Sequence, residues 1–383
     1  MTYTKKWWAR AAQKTLLASL LLLQGEHFAR AGDQGYGKVG QPVHLVVGYQ
    51  PYDTVSYSAA VIRGLALWKK FLPAGSEVEF QAGLQGSIIV NQMLAGKQQI
   101  GYLGDVPAVL VTTKTEQAKV KLVVNTGFSA GQRCNVIMVR ADAPDFKTSQ
   151  DAIKWLDGKT IATPKGSCAD RFLGNVIDRT HIKPDAIMNQ SLEVLSTNLR
   201  AKKLDAVALW EPTASRIGNL VGEGIAKYAI TGYPFDIPDS GYIAMRDDFM
   251  TQRPDVVKAW VKMEMEAQRF ILDPKNQLKV AEIVKGQTTG ITLRMAWFSI
   301  YGAIPVTAGG SPIRDEKPFV FDERVHKQLN SIYTFLHQSK VINVGEAPVG
   351  SLDDSVARAV ANEAGTSLPL GSIKAQDIAN APK

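Results

Sequence analysis

Residues 80–107 read FQAGLQGSIIVNQMLAGKQQIGYLGDVP, and the order of residue types in this stretch decides the fold class. Phe80 and Gln81 end a strand. The turn Gln85-Gly86-Ser87 opens a helix whose apolar face, at helical spacing, is Ile88, Ile89, Met93 and Leu94. Gly96 closes it, because glycine takes the left-handed backbone conformation without steric cost. Ile100, Tyr102 and Leu103 form a buried strand that runs into Gly104-Asp105-Val106-Pro107, which has the composition of a loop. Strand, helix and strand in this order predict an open α/β sheet, in which ligands bind beyond the carboxyl ends of the strands. Ser87, at the helix start, and Asp105, at the strand end, then lie at one edge. A helix start presents unpaired N–H groups and partial positive charge, which favour an anion.

The same shape recurs downstream. Residues 191–212, SLEVLSTNLRAKKLDAVALWEP, again give a helix, a basic turn, an apolar strand and a loop ending in proline. Leu94, Lys97 and Pro107 match Leu199, Lys202 and Pro212 at a common offset of 105 positions. Two similar lobes follow, each offering a polar strand end: Asp105 in one, Trp210-Glu211 in the other. Upstream, residues 43–47 form a strand that ends at Gly48-Tyr49-Gln50-Pro51-Tyr52-Asp53, before a helix over about 55–71. Tyr52 either contacts ligand at that edge or packs on its own helix.

Residues 119–125 are another apolar strand, and the polar passage 126–133 is expected to be a flexible crossing between lobes. Residues 134–139 open the second lobe. Thr148 with Asp151 matches a capping box, and Gly158 ends that helix. After a strand at 159–163, the turn Lys165-Gly166-Ser167 is the second lobe's counterpart of Gln85-Gly86-Ser87. Its Ser167 either caps the next helix or offers its hydroxyl to a ligand. Residues 230–240, rich in turn formers, are the return passage. Helices are predicted over 254–272, 277–302, 323–338 and 352–363, and the polar end 366–383 is expected to be mobile.

A chain of 383 residues can bury a large core and divide into two domains. Lys5, Lys6, Arg10 and Lys14, the apolar run 16–23 and Ala29-Arg30-Ala31 have the form of a signal peptide cleaved near Ala31. A buried N-terminal helix is the alternative. No cysteine lies near that point, which speaks against a lipid anchor, and no later apolar run reaches the ~18 residues of a membrane span. Removing residues 1–31 takes away five basic residues and one acidic one, so the formal charge falls from +8 to +4. A mildly basic surface suits small anions, and no basic run interleaved with aromatics points to nucleic acid.

Cys134 and Cys168 are the only cysteines. Export would allow them to form a disulfide; two buried free thiols are the alternative. The five histidines form no ligand cluster, and no G-x-S-x-G, H-E-x-x-H or paired-cysteine metal pattern occurs. No catalytic residue, metal or cofactor is therefore expected. Asp105 and Glu211 either act as an acid–base pair or bind a ligand amine, cap helices or stay solvated. Polar loops on two facing lobes make a cleft that binds small molecules by hinge closure.

The segments VVGYQPYD (46–53), LAGKQQIGYLGDVPAVL (94–110), IKWLDGKTIATPKGSCADRF (153–172), LDAVALWEPTASR (204–216) and SGYIAMRDDFMTQRPDVVKAWV (240–261) carry, in order and spacing, a resemblance. Over about residues 43–344 the chain resembles the substrate-binding proteins of nitrate/sulfonate/taurine-type ABC importers, a group that includes thiamine-precursor-like binders. The resemblance implies a two-lobed α/β periplasmic-binding-protein fold of type II with two crossing hinge strands. Lobe I would comprise 38–130 and 245–350, lobe II 131–244, and 351–383 a C-terminal helix and tail.

It further implies a periplasmic monomer that takes a small-molecule ligand to an ABC-transporter permease. Tyr52, Gln85, Ser87, Asp105, Ser129, Ser167, Cys168, Trp210, Glu211 and Tyr242 would be cleft residues. Arg133 departs from the usual pattern; it would bind an oxyanion or pair with Asp170. Asp105 and Glu211 would repel a bare anion, which favours a zwitterion or a ligand with N–H donors. The other functional classes are an exported enzyme of the same fold acting on a pyrimidine or thiamine-precursor-like molecule, and a ligand-sensing module.

Overall fold

The stretch 80–107 folds into β2 (Glu77–Ala82, following β1 at His44–Tyr49), the helix Gly86–Leu94 and β3 (Ile100–Gly104). The computed structural model describes residues 35–383, so the signal peptide read in residues 1–31 lies outside the described residues. The helix buries Ile89, Val90 and Met93, while Ile88 is 43% exposed; the apolar face is turned by one position from the predicted one. Glycines in β1 and β3 set that face. A Cβ on Gly101 would lie 2.5 Å from Met93 Sδ, and one on Gly48 would lie 2.7 Å from Ile89 Cγ2. Gly96 has φ +74°, as its place at the helix end requires.

Gly104-Asp105-Val106-Pro107 is not a loop. Gly104 is the N-cap of a helix, Asp105–Thr112. Proline is tolerated there because the first-turn N–H groups have no helical acceptor, and Asp105 complements the helix start.

The strands β4 (Val120–Ser129), β5 (Val136–Arg140), β6 (Thr160–Thr163), β7 (Ala186–Asn189), β8 (Ala206–Leu209), β9 (Ala226–Thr231), β10 (Asp239–Arg246), β11 (Ile313–Lys317) and β12 (Gly371–Lys374) complete two sheets. One has the order β12-β11-β4-β10-β3-β1-β2, the other β7-β6-β8-β5-β9. β1 runs parallel to β2 and β3, and β6 parallel to β7 and β8. The chain passes from the first sheet to the second between β4 and β5 and returns between β9 and β10. β4 and β10 pair antiparallel as far as Asp239 opposite Ser129. Residues 126–129, expected to be flexible, are therefore strand, and the chain rejoins the first sheet at Asp239.

Two further expectations are corrected. The end of the chain adds β12 to β11 at the sheet edge, with Ile373 only 5% exposed. A backbone ladder can hold a segment whose side chains show no period. The helix expected at 352–363 begins at Ser355. The capping box at Thr148 and Asp151 forms as predicted, and the helices Pro254–Leu272 and Glu323–Gln338 have the predicted limits. The latter packs Val325, Leu329, Ile332, Tyr333 and Leu336 into one core with Val106, Val109, Leu122 and Tyr242.

Candidate ligand-binding cleft

Both sheets direct the carboxyl ends of parallel strands at one cleft, where loops rather than ladders present the side chains. From the first sheet come Gln50 and Asp53 after β1, Gln85, Gly86 and Ser87 after β2, Gly104 at the end of β3 and Pro107 beyond it. From the second come residues 164–168 after β6 and Trp210 after β8. The cavity volume is about 20 Å³, room for about one water.

Helices start on both sides. Gly86 opens Gly86–Leu94, and a Cβ there would lie 2.4 Å from Pro107 Cγ; only glycine lets the turn pass so close to the next strand end. Across the cleft, Ser167 caps Cys168–Thr180 by accepting the Asp170 N–H at 3.1 Å. Exposed Lys165 adds a cation beside it. Gln50 is 3% exposed, and its Nε2 donor has no acceptor. Helix starts, a lysine and a free amide N–H together favour an oxyanion.

Asp53 is the carboxylate among the cleft residues. It is 3% exposed, and its Oδ1 accepts the Val55 N–H at 3.1 Å. Burial pushes its pKa up to about 7; the Val55 N–H and Arg133 oppose that rise, while Asp239 and Asp105 add to it.

Of the residues predicted from sequence, Gln85, Ser87, Ser167, Cys168 and Trp210 line this cleft. The Trp210 indole N–H donates to the Tyr52 carbonyl at 3.0 Å. The Tyr52 side chain turns elsewhere: its hydroxyl accepts the Thr289 N–H at 2.7 Å. Ser129 Oγ accepts the N–H groups of Gly131 and Gln132 in the first crossing. Tyr242 is fully buried, with its hydroxyl between Ser240 and Gln328.

Asp105 and Glu211 are both fully buried and paired. Asp105 Oδ2 accepts from Arg171 Nη2 at 2.8 Å and from Gln328 at 3.1 Å. Glu211 Oε1 accepts from Arg314 Nη2 and Tyr228, both at 2.8 Å, and Oε2 accepts from Ser215. Two arginines distant in sequence thus neutralise the charges that were expected to repel a bare anion, and that expectation loses its basis.

Arg133 neither lines this cavity nor pairs with Asp170. It pairs with Asp239 at 3.3 Å and Asp315 at 3.1 Å, and Lys317 meets Asp315 at 2.7 Å. Asp170 instead accepts the Gly166 N–H at 2.9 Å. This buried set ties the first crossing and the start of β10 to β11. Cys134 and Cys168 form a disulfide, Cα–Cα 6.0 Å, fastening the first crossing to the helix start at the cleft. Sequence reasoning placed Gln50 and Asp53 in the edge loop but did not assign them to the site. The signal was there, two polar residues at the end of an apolar strand, and only burial distinguishes them from ordinary turn residues.

The family profile described as NMT1-like matches residues 43–285. The chain belongs to the NMT1-like family. A binding protein of Brucella abortus (strain 2308) is 26% identical over 215 residues, 55% of this chain and 61% of that relative. The match thus spans less than two thirds of the Brucella protein. The taurine-binding periplasmic protein of Escherichia coli (strain K12) is 24% identical over 72% of this chain and 77% of its own length.

Among solved structures, the alkanesulfonate-binding protein SsuA from Xanthomonas axonopodis pv. citri has TM-score 0.64 at 17% identity, covering 82% of this chain and 98% of that one. The periplasmic nitrate-binding protein NrtA from Synechocystis PCC 6803 has TM-score 0.64 at 13% identity, covering 84% and 89%. The desulfurization enzyme DSZB, TM-score 0.58 at 14% identity, shares the fold as well. These likenesses establish the two-sheet periplasmic-binding-protein fold for this NMT1-like chain. Among the described residues no helix is long and apolar enough to cross a membrane.

Proposed function

We propose that the chain is a periplasmic solute-binding protein that traps a small oxyanion or zwitterion and delivers it, as a monomer, to the permease of an ABC importer. An organosulfonate such as taurine or an alkanesulfonate is the first choice, with nitrate, bicarbonate or an aromatic acid next. One observation carries this: two helix starts, one from each sheet, meet in one cleft with Lys165 and the unpartnered amide of Gln50. An oxyanion held by both sides favours their approach, and the two crossings are the hinge. The halves that move are those built on the two sheets, with residues 355–383 travelling with the first. The cavity, about 20 Å³, is smaller than an organosulfonate, so the two sides must part at the hinge to admit the ligand.

The ligands named for the relatives agree with this choice. Asp53 sets the finer preference: as a carboxylate it accepts from an ammonium or N–H group, and as a protonated acid it donates to a plain anion. Binding is favoured over catalysis because the one sulfur lining the cleft, Cys168 Sγ, is held in the disulfide. The test is a thermal-shift screen against taurine, alkanesulfonates, nitrate, bicarbonate, aromatic acids and pyrimidines, since only a ligand of the folded state raises the midpoint. A shift with at least one oxyanion is expected. Shifts with pyrimidines alone would overturn the reading.

A further inference from the structure

A second cavity lies further along the Cys168–Thr180 helix, beyond the residues that line the cleft. Its volume is about 420 Å³, large enough for a small organic molecule. Arg171, Asn175 and Arg179, four positions apart, put one face of that helix on the cavity. Arg324, Lys327 and Ser331, at spacings of three and four, put one face of Glu323–Gln338 on it. One helix belongs to the half built on the second sheet and the other packs on the first. The return passage supplies Tyr233, Ile237 and Pro238 between them.

The cations here are unequally engaged. Arg324 is held by Glu316 and Asp322 and lies over Phe128, 5.3 Å from its centroid. Arg171 is paired with Asp105, yet its buried Nε has no acceptor. Among the described residues the Arg179 side chain bonds only the Phe235 carbonyl, and the Lys327 side chain makes no hydrogen bond or ion pair. Asp236 is the only carboxylate among the lining residues. Two cations without carboxylate partners therefore face this gap. Tyr233, one of the lining residues, is 45% exposed and offers a flat apolar surface suited to an aromatic ring.

We propose that this groove is a second ligand site, which takes an organic dianion with a flat apolar body and through it bridges the two helices. Arg179 and Lys327 bind the negative groups from opposite walls, and Tyr233 with Pro238 covers the body. Because Arg171 also holds Asp105, whose neighbours Gly104 and Pro107 line the cleft, the groove and the cleft share a wall.

Isothermal titration calorimetry of the purified chain with terephthalate tests this. The wild type is expected to bind it, and with the cleft filled by Ser87→Phe benzoate and inorganic phosphate should each bind at least about tenfold more weakly than terephthalate, because each lacks one of the two recognised features. Arg179→Ala with Lys327→Ala, both exposed positions, should weaken terephthalate at least about tenfold with unchanged circular dichroism. Ser87→Phe, which fills the cleft, should leave it unchanged. No binding at millimolar terephthalate, an unaffected double variant, or loss in Ser87→Phe would each overturn the proposal. Benzoate or phosphate binding the Ser87→Phe variant as tightly as terephthalate would overturn the assigned ligand class.

Discussion

Replacing Asp53 by asparagine should stabilise the ligand-free protein relative to wild type, and by more at alkaline pH than at acid pH. The folded-state pKa is about 7, against 3.8 for an unperturbed aspartate. Between these values the folded protein keeps a proton that the unfolded chain has released, so stability falls as pH rises through that window. Below it both states are protonated and the penalty vanishes; above about pH 7 it is complete. The linkage relation gives a penalty of about 2 kcal/mol at pH 5 and about 4 kcal/mol at pH 8, so the advantage of asparagine grows by about 2–3 kcal/mol between them. Asparagine bears no such penalty and keeps an oxygen for the Val55 N–H that Asp53 accepts.

The assay is urea denaturation of both proteins at the two pH values, comparing midpoints at constant slope. Titrating groups distant from Asp53 cancel in the double difference. If the advantage of the Asp53→Asn variant were the same at both pH values, or smaller at pH 8, the carboxyl would not be the buried, proton-holding group described here. Adding ligand gives a second readout. An ammonium-bearing oxyanion should bind wild type more tightly at pH 8, and a plain one more tightly at pH 6.

Three further perturbations test the surroundings. Arg171→Met leaves Asp105 buried without its cation, and removal of one partner from a buried pair costs about 3–5 kcal/mol; urea denaturation would show it, and the double change with Asp105→Asn should recover part of the loss. Gly86→Ala forces a Cβ to within 2.4 Å of Pro107 Cγ, an overpacking that costs about 1–3 kcal/mol, and the displaced helix start should abolish the ligand-induced thermal shift. Reduction of the Cys134–Cys168 bridge, 34 positions apart, should cost about 2–4 kcal/mol, read as a lower melting temperature in reductant that a Cys134→Ser, Cys168→Ser variant does not show.

How much of this was legible follows from what kind of interaction decides each feature. The strand–helix–strand order of 80–107, the capping box at Thr148 and the long helix Pro254–Leu272 depend on neighbours within a turn or two, and residue type exposes them directly. The helix Asp105–Thr112 was missed because Gly104 and Pro107 serve a helix start as readily as a loop. The strand β12 was missed because its partner, Ile313–Lys317, lies more than fifty positions away and has no apolar alternation of its own.

The same distinction explains the cleft. Local pattern finds its edge, since strand ends and helix starts are local signals: Gln85, Ser87, Ser167 and Trp210 all lie there. It does not find which polar side chains at that edge are already engaged, because the partners come from remote segments. Asp105 looks like a ligand contact until Arg171 is placed beside it, Glu211 until Arg314 is, and Arg133 until Asp239 and Asp315 are. Each of these acids and bases is consumed in holding the loops and crossings together. What is left to meet a solute is the smaller set without partners, Lys165, the Nε2 donor of Gln50 and the second oxygen of Asp53, on two helix starts. Charge that the sequence displays at a strand end therefore overstates the charge a ligand would meet, and the specificity of this cleft rests on what pairing leaves over.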